Sequence, residues 1–75
     1  MICSDCTIEG DVVIDVSAIL QPKVSVIARE DRTATIAELT ILEEFVHVLN
    51  SSIGSDCLLE VGAYIVEVRV YTIVL

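Results

Sequence analysis

The stretch CTIEGDVVIDVSAILQPKVSVIA, residues 6–28, decides the fold of this 75-residue chain. Aliphatic residues recur in it at every sixth position, and a small or β-branched residue lies two places before each of them. Because alternate side chains of a strand share a face, both residues of each hexapeptide can point inward while the residues that follow turn a corner. A hexapeptide period is typical of a β-helix. The aliphatic positions in this stretch are Ile8, Ile14, Leu20 and Val26.

Three such hexapeptides would form one triangular coil of about 18 residues, so the chain has room for about four coils. The sequence therefore predicts an all-β fold, a parallel β-helix of about three to four coils that forms a single domain over residues 1–75. Each coil of a solenoid contacts only its neighbours, and exposed strand edges invite association. We therefore expect the end coils to need a cap or a partner.

The hexapeptide register breaks twice and resumes each time. The charged segment AREDRTA, residues 28–34, lacks the expected aliphatic residue and is predicted to be an irregular loop at one corner. A shorter break follows at residues 50–52. Residues 66–75 alternate simply, which predicts that the repeat fails after residue 64 and that the tail is an edge strand or a poorly ordered end. The predicted core repeat positions are Ile8, Ile14, Leu20, Val26, Ile36, Leu42, Val48, Ile53 and Leu59.

An amphipathic helix is an alternative for residues 35–50. Ile36, Leu39, Leu42 and Val46 are spaced to form one helical face in this segment. The six-residue spacing on both sides of the segment favours the continued β-coil over the helix.

Composition and charge narrow the possible functions. Hydrophobic residues make up 55% of the chain and the mean hydropathy is +0.80, yet the longest apolar candidate for a membrane span, residues 61–75, is interrupted by Glu67 and Arg69. The net charge of −8 disfavours nucleic acid and anionic membrane surfaces and suits a basic protein partner. No signal peptide is visible, so we expect a cytoplasmic protein without membrane insertion.

Few residues could carry chemistry, and each has a simpler structural interpretation. His47, the single histidine, is expected to lie on the outer face, one residue before Val48. The spacing of Cys3 and Cys6 places their thiols on opposite faces of a strand, and Cys57, like Cys6, occupies a small inward position. We therefore predict no catalytic, cofactor-binding or metal-binding residue, and no cofactor.

Two charged groups also have structural interpretations. Glu43 and Glu44 are adjacent, so their side chains diverge and a solvated corner explains them better than paired carboxylates of an enzyme. Arg29 and Arg32, half of the four basic residues, lie in a segment typical of a solvated loop. They are candidates for partner contact, although the sequence singles out no binding face.

Four motifs, taken in order, resemble one family. They are IEGDVVI, LQPKVSVIA, ILEEFVHVLN and IGSDCLLEVGAY, which together span roughly residues 2–64. In this order they are similar to the dynactin subunit 6 family, hexapeptide-repeat subunits of the pointed-end complex of dynactin. The resemblance implies a left-handed parallel β-helix and a non-enzymatic, cytoskeleton-associated role in dynein-dynactin cargo recruitment. It also implies protein partners, namely dynactin subunit 5 and other pointed-end subunits.

The chain departs from the pattern of that family in ways that leave two other hypotheses. The first part of the N-terminal coil, the later coils and the C-terminal helix are missing, and the insertion after Asn50 is reduced to two serines. One alternative is a remnant of a trimeric hexapeptide-repeat enzyme, an acyltransferase or a γ-type carbonic anhydrase, with His47 at subunit interfaces. The other is a truncated product that tends to aggregate.

Overall fold

The structure, a computed structural model, describes residues 1–67 and 69–70. All regular structure in this part of the chain is β-strand, and no helix is present. The strands are only two to four residues long because each hexapeptide must also turn a corner. The described strands are β1 (Thr7–Glu9), β2 (Asp11–Ile14), β3 (Ile19–Leu20), β4 (Ser25–Ile27), β5 (Thr33–Ile36), β6 (Ile41–Leu42), β7 (His47–Leu49), β8 (Ser52–Ile53), β9 (Leu58–Leu59), β10 (Tyr64–Val66) and β11 (Arg69–Val70).

The strands form three parallel sheets around one core. The first sheet has the order β1-β4-β7-β10, the second β2-β5-β8-β11 and the third β3-β6-β9. Consecutive strands belong to different sheets, and each strand pairs with its equivalent in the next coil. This arrangement is a β-solenoid of about three turns, so the prediction of a parallel β-helix is confirmed. The alternative prediction of a helix over residues 35–50 is wrong, because β6, β7 and part of β5 occupy that segment.

The inward hexapeptide positions stack in one column per sheet. Successive members of the first-sheet column are 18, 22 and 17 residues apart, and those of the other two columns are 22 and 17 apart. Coil length varies while the inward register is kept, since a one-residue slip would turn every side chain to the opposite face. The columns are Ile8, Val26, Val48 and Ile65; Ile14, Ile36 and Ile53; and Leu20, Leu42 and Leu59.

Burial within a column depends on the coil. Ile8 was predicted to be a core position but is 40% exposed, and Ile14 is half-buried against the core. Their strands β1 and β2 are the outermost strands of their sheets, so no described coil covers their N-terminal side. Leu20 of the same coil is fully buried because Ile2 pairs with it, so the core begins at the third sheet of the first coil and continues through the later coils. The other predicted core positions are all buried: Leu20, Val26, Ile36, Leu42, Val48, Ile53 and Leu59.

The first corner, which links the first sheet to the second, carries the extra residues of the 22-residue coil. Strand β5 begins at Thr33, and Ala34 is fully buried. The irregular segment predicted over residues 28–34 is therefore confined to residues 28–32. Arg29 and Arg32 in this loop pair with Glu9 at 3.7 Å and with Glu67 at 3.0 Å, and such exposed pairs contribute little to stability.

The repeat continues beyond the point where it was predicted to fail. Residues 64–66 form β10, which pairs with β7. Arg69 and Val70 form β11, in register with Ser52 and Ile53. The predicted breakdown after residue 64 is therefore wrong for these strands, because a step of five residues from Ile65 to Val70 repeats the step from Val48 to Ile53. Residues 71–75, the rest of the predicted edge strand, lie outside the described part.

The third corner, which links the third sheet to the first, requires left-handed backbone in successive coils. Lys23, Phe45 and Gly62 occupy equivalent places there, with φ of 68°, 64° and 78°. This conformation costs an ordinary L-residue about 1–2 kcal/mol, whereas glycine adopts it readily. The turns are also linked between coils, since the Phe45 N–H donates to the Pro22 carbonyl and the Gly62 N–H donates to the Glu44 carbonyl.

Candidate interaction surfaces

The outer side of the third sheet carries an aliphatic column. Ile19, Ile41 and Leu58 align in register on its three strands, and each is at least partly exposed. At the second corner, which precedes this sheet, Val16 is 95% exposed and Leu39 is 59% exposed. We name these five residues the third-sheet strip. Exposed aliphatic side chains that align on an outer sheet face are a feature of interaction sites on soluble proteins.

The outer side of the first sheet has two columns of different character. One runs through Thr7, Ser25, His47 and Tyr64 and is polar at its N-terminal end and aromatic at its C-terminal end. The other begins with a glutamate and becomes aliphatic in the later coils. Its residues are Glu9, Ile27, Leu49 and Val66.

The aromatic end of the first column forms a defined geometry. The His47 and Tyr64 rings are stacked, with centroids 4.7 Å apart and planes 16° from parallel. Tyr64 is 66% exposed, and Phe45 at the neighbouring third corner is 60% exposed. We name these three residues the aromatic edge. Phe45 and Tyr64 therefore expose most of their surface to solvent, whereas His47 is partly buried and stacked on Tyr64.

Acidic side chains border the aromatic edge on the side of the third sheet. The Glu43 N–H donates to the Leu59 carbonyl at 2.9 Å, which places Glu43 beside Glu60 of the next coil. Glu44 occupies the corner next to Phe45. None of these three glutamates forms an ion pair with a described residue, since the ion pairs of the described part lie at the first corner. Their negative charge is therefore uncompensated by direct pairing.

The second sheet presents a polar outer side with a shallow groove. The Thr33 hydroxyl donates to the Asp11 carboxylate at 3.0 Å, and the hydroxyls of Thr35 and Ser52 are 2.8 Å apart. The groove is lined by Val13, Asp15, Thr35, Ile36, Ala37 and Glu38. The hydroxyls of this side therefore have partners in the fold, and the carboxylates of Asp15 and Glu38 are the charged groups that line the groove.

Asp15 at the edge of this groove is held ionised by its own turn. The Ser17 hydroxyl donates to the Asp15 carboxylate at 2.6 Å and the Ser17 N–H donates at 2.9 Å. Both hydrogen bonds lower the pKa of Asp15 below its ordinary value, and the bond from the Ser17 hydroxyl has the larger effect. The Ser17 hydroxyl also accepts from the Leu39 N–H of the next coil at 2.9 Å. Asp15 and Ser17 therefore form a turn that links two coils.

The residues considered for chemistry lie apart from one another. His47 lies on the outer side of β7, as predicted, with Val48 buried beside it. Cys6 packs partly against the core and its thiol donates to the Gln21 carbonyl at 3.2 Å, while Cys57 is buried. Within residues 1–67 and 69–70, no three His, Cys, Asp or Glu side chains come close enough to hold a metal ion. The described part also contains no helix able to cross a membrane.

Sequence reasoning missed the aromatic edge. Tyr64 is the last residue of the fourth motif, and neither Tyr64 nor Phe45 is among the predicted site residues. The signal that could have found the pair is the 17-residue step between Val48 and Ile65, which also places Tyr64 beside His47. That step combines the five-residue step from Val48 to Ile53 with two six-residue steps, so the predicted register already contained it.

Comparison of the chain with protein-family models, with curated proteins and with solved structures found no match.

Proposed function

We propose that this protein is a non-enzymatic scaffold subunit that pairs side by side with a second β-helix through the third-sheet strip. The observation that carries the proposal is the aliphatic column Ile19–Ile41–Leu58, which lies outside the core on a flat sheet. In a monomer these three side chains gain only their contacts with one another along the column, whereas an interface would also bury them, at a gain of about 25 cal/mol per Å².

The shape of the strip favours a β-helix as the partner. Its side chains repeat at the strand spacing of about 4.8 Å along the coil axis, and the outer face of another parallel β-helix repeats at the same spacing. Side chains of two such faces can interdigitate over several coils without a change in either backbone. The resemblance to the dynactin subunit 6 family names the partner to test first, dynactin subunit 5, with other pointed-end subunits as further partners.

In this role the protein would act in the cytoplasm, as part of the dynactin pointed-end complex. It would support recruitment of cargo by dynein-dynactin through protein contacts, without a cofactor. The net charge of −8 is consistent with a protein partner and unfavourable for nucleic acid.

The test is the molar mass in solution, measured by light scattering after size exclusion, for the chain alone and co-expressed with dynactin subunit 5. We expect a one-to-one heterodimer. Ile41→Glu should abolish it, because a carboxylate in the centre of an apolar interface is left unpaired and desolvated. Val13→Glu is the matched control, since Val13 is an exposed aliphatic residue on the outer side of the second sheet.

A heterodimer that survives Ile41→Glu but is lost with Val13→Glu would contradict the assignment of the third sheet. No heterodimer with the unsubstituted chain would contradict the pairing itself. A homotrimer of the chain alone would favour the enzyme alternative, and zinc analysis of the trimer would then follow.

A further inference from the structure

We propose a second docking site at the aromatic edge, specific for an arginine- or lysine-rich segment of a partner protein. The site combines the three rings of Phe45, His47 and Tyr64 with the carboxylates of Glu43, Glu44 and Glu60. The rings lie around the third corner from the third-sheet strip, whereas Glu43 and Glu60 lie on the third sheet, two residues beyond Ile41 and Leu58.

The rings favour a cation over an apolar ligand. A guanidinium or ammonium group is attracted to the face of an aromatic ring within about 6 Å of its centroid. Tyr64 is stacked on His47 through one face only, and two thirds of its surface remains exposed. An arginine can stack on that outer face and extend the existing pair of rings, as planar guanidinium groups do at interfaces.

The carboxylates favour a positively charged partner. Glu43 and Glu60 lie side by side on adjacent coils, and Glu44 adjoins Phe45 at the corner. Lys23 occupies the place equivalent to Phe45 in the preceding coil, and it forms no ion pair with a described residue. Three glutamates against one lysine leave a local negative potential that attracts a cationic segment.

The same charges disfavour the other possible occupants. A second copy of the chain would bring its own net charge of −8 toward these glutamates. Nucleic acid would be repelled by them in the same way. An apolar segment would have to desolvate the carboxylates without pairing them, which is costly.

The experiment measures binding of a fluorescein-labelled peptide of ten arginines to the full chain by fluorescence anisotropy, with a peptide of ten glutamates as the negative control. Glu43→Gln/Glu44→Gln should weaken binding by about tenfold, which is the loss expected when two charge pairs at a partly desolvated site are removed. Glu38→Gln/Asp56→Asn removes the same two charges at the second corner and should weaken binding by less than about twofold, through the long-range potential alone.

The aromatic contribution is tested by Phe45→Gly and Tyr64→Ala. Glycine suits the φ of 64° at position 45, so Phe45→Gly should keep the fold while it weakens peptide binding by about threefold. Tyr64→Ala should weaken binding similarly and should abolish the peptide-induced shifts of the His47 ring signals in NMR spectra. Ile41→Ser changes the third-sheet strip without adding charge beside Glu43 and should leave peptide binding unchanged, which separates this site from the proposed pairing surface.

Equal weakening by the two charge-neutralised variants would overturn the proposal, because binding would then depend on net charge and not on this site. Unchanged affinity in both aromatic variants, with their circular dichroism spectra preserved, would also overturn it. A labelled peptide that binds no better than the glutamate peptide would do the same.

Discussion

Replacing Gly10 with alanine should destabilise the first coil much more than the same change at Gly62 destabilises the last described coil. The two glycines have similar φ, 84° and 78°. A Cβ at Gly10 would lie 1.9 Å from the carbonyl oxygen of Ala28, whereas a Cβ at Gly62 would meet no atom within 4 Å. Alanine would therefore adopt an unfavourable positive φ at both positions, but it would clash with a neighbouring atom only at Gly10.

The magnitudes follow from these distances. Left-handed φ should cost alanine about 1 kcal/mol relative to glycine, which is the whole loss expected for Gly62→Ala. At Gly10 the clash is with backbone, so the first corner must move away from β4. This movement should lose the 2.9 Å hydrogen bond from the Ala28 N–H to the Glu9 carbonyl, at about 1 kcal/mol. It should also lose part of the burial of Ile8, for a total of about 3 kcal/mol.

Urea unfolding followed by circular dichroism gives the free energy of unfolding of both variants, and hydrogen exchange locates the change. In the Gly10 variant, the Thr7 and Ala28 amides should lose protection while the Glu43 amide in the middle coil keeps most of its protection. In the Gly62 variant, the Thr7 and Ala28 amides should stay protected. Losses of unfolding free energy that agree within about 0.5 kcal/mol would refute the steric argument, since φ alone would then explain both.

Three further predictions test the core and a corner turn. The fully buried Thr40 hydroxyl donates a 2.7 Å hydrogen bond to the Gly54 carbonyl of the next coil. Thr40→Val should therefore lower the free energy of unfolding, measured by thermal unfolding, by about 1–2 kcal/mol, although valine is more apolar. Thr40→Ser should keep the bond. Leu42→Ala should cost about 3 kcal/mol in urea unfolding and Ile8→Ala about 1 kcal/mol, because only Leu42 is fully buried; equal losses would contradict the burial gradient. Ser17→Ala should raise the pKa of Asp15 toward 3.8 in an NMR titration. Since that pKa is lowered in the fold, the stabilisation of this turn is present above pH 3.8 and disappears as pH falls through the folded pKa; an unchanged titration would contradict the assigned cause.

The sequence was sufficient for the solenoid and for most of its core. The six-residue spacing of Leu20 and Val26, and again of Leu42 and Val48, identified side chains that are fully buried. This is possible because the period belongs to the backbone itself: alternation along a strand and a corner after each strand force inward positions to recur. The same reasoning failed at Ile8, whose sequence pattern is the same, because burial also depends on whether another coil covers the residue.

The sequence alone was not sufficient for the candidate interaction surfaces. The predicted register already brings Tyr64 beside His47 and Glu60 beside Glu43, but only the structure shows that the two rings stack with centroids 4.7 Å apart. The end of the first-corner loop before Thr33 and the continuation of the repeat into β11 are likewise decided by pairing between coils. Periodicity acts through neighbours along the chain and so determined which side chains point inward. Contacts between coils join residues about 17 to 22 positions apart, and only the tertiary structure decided which outward side chains lie together.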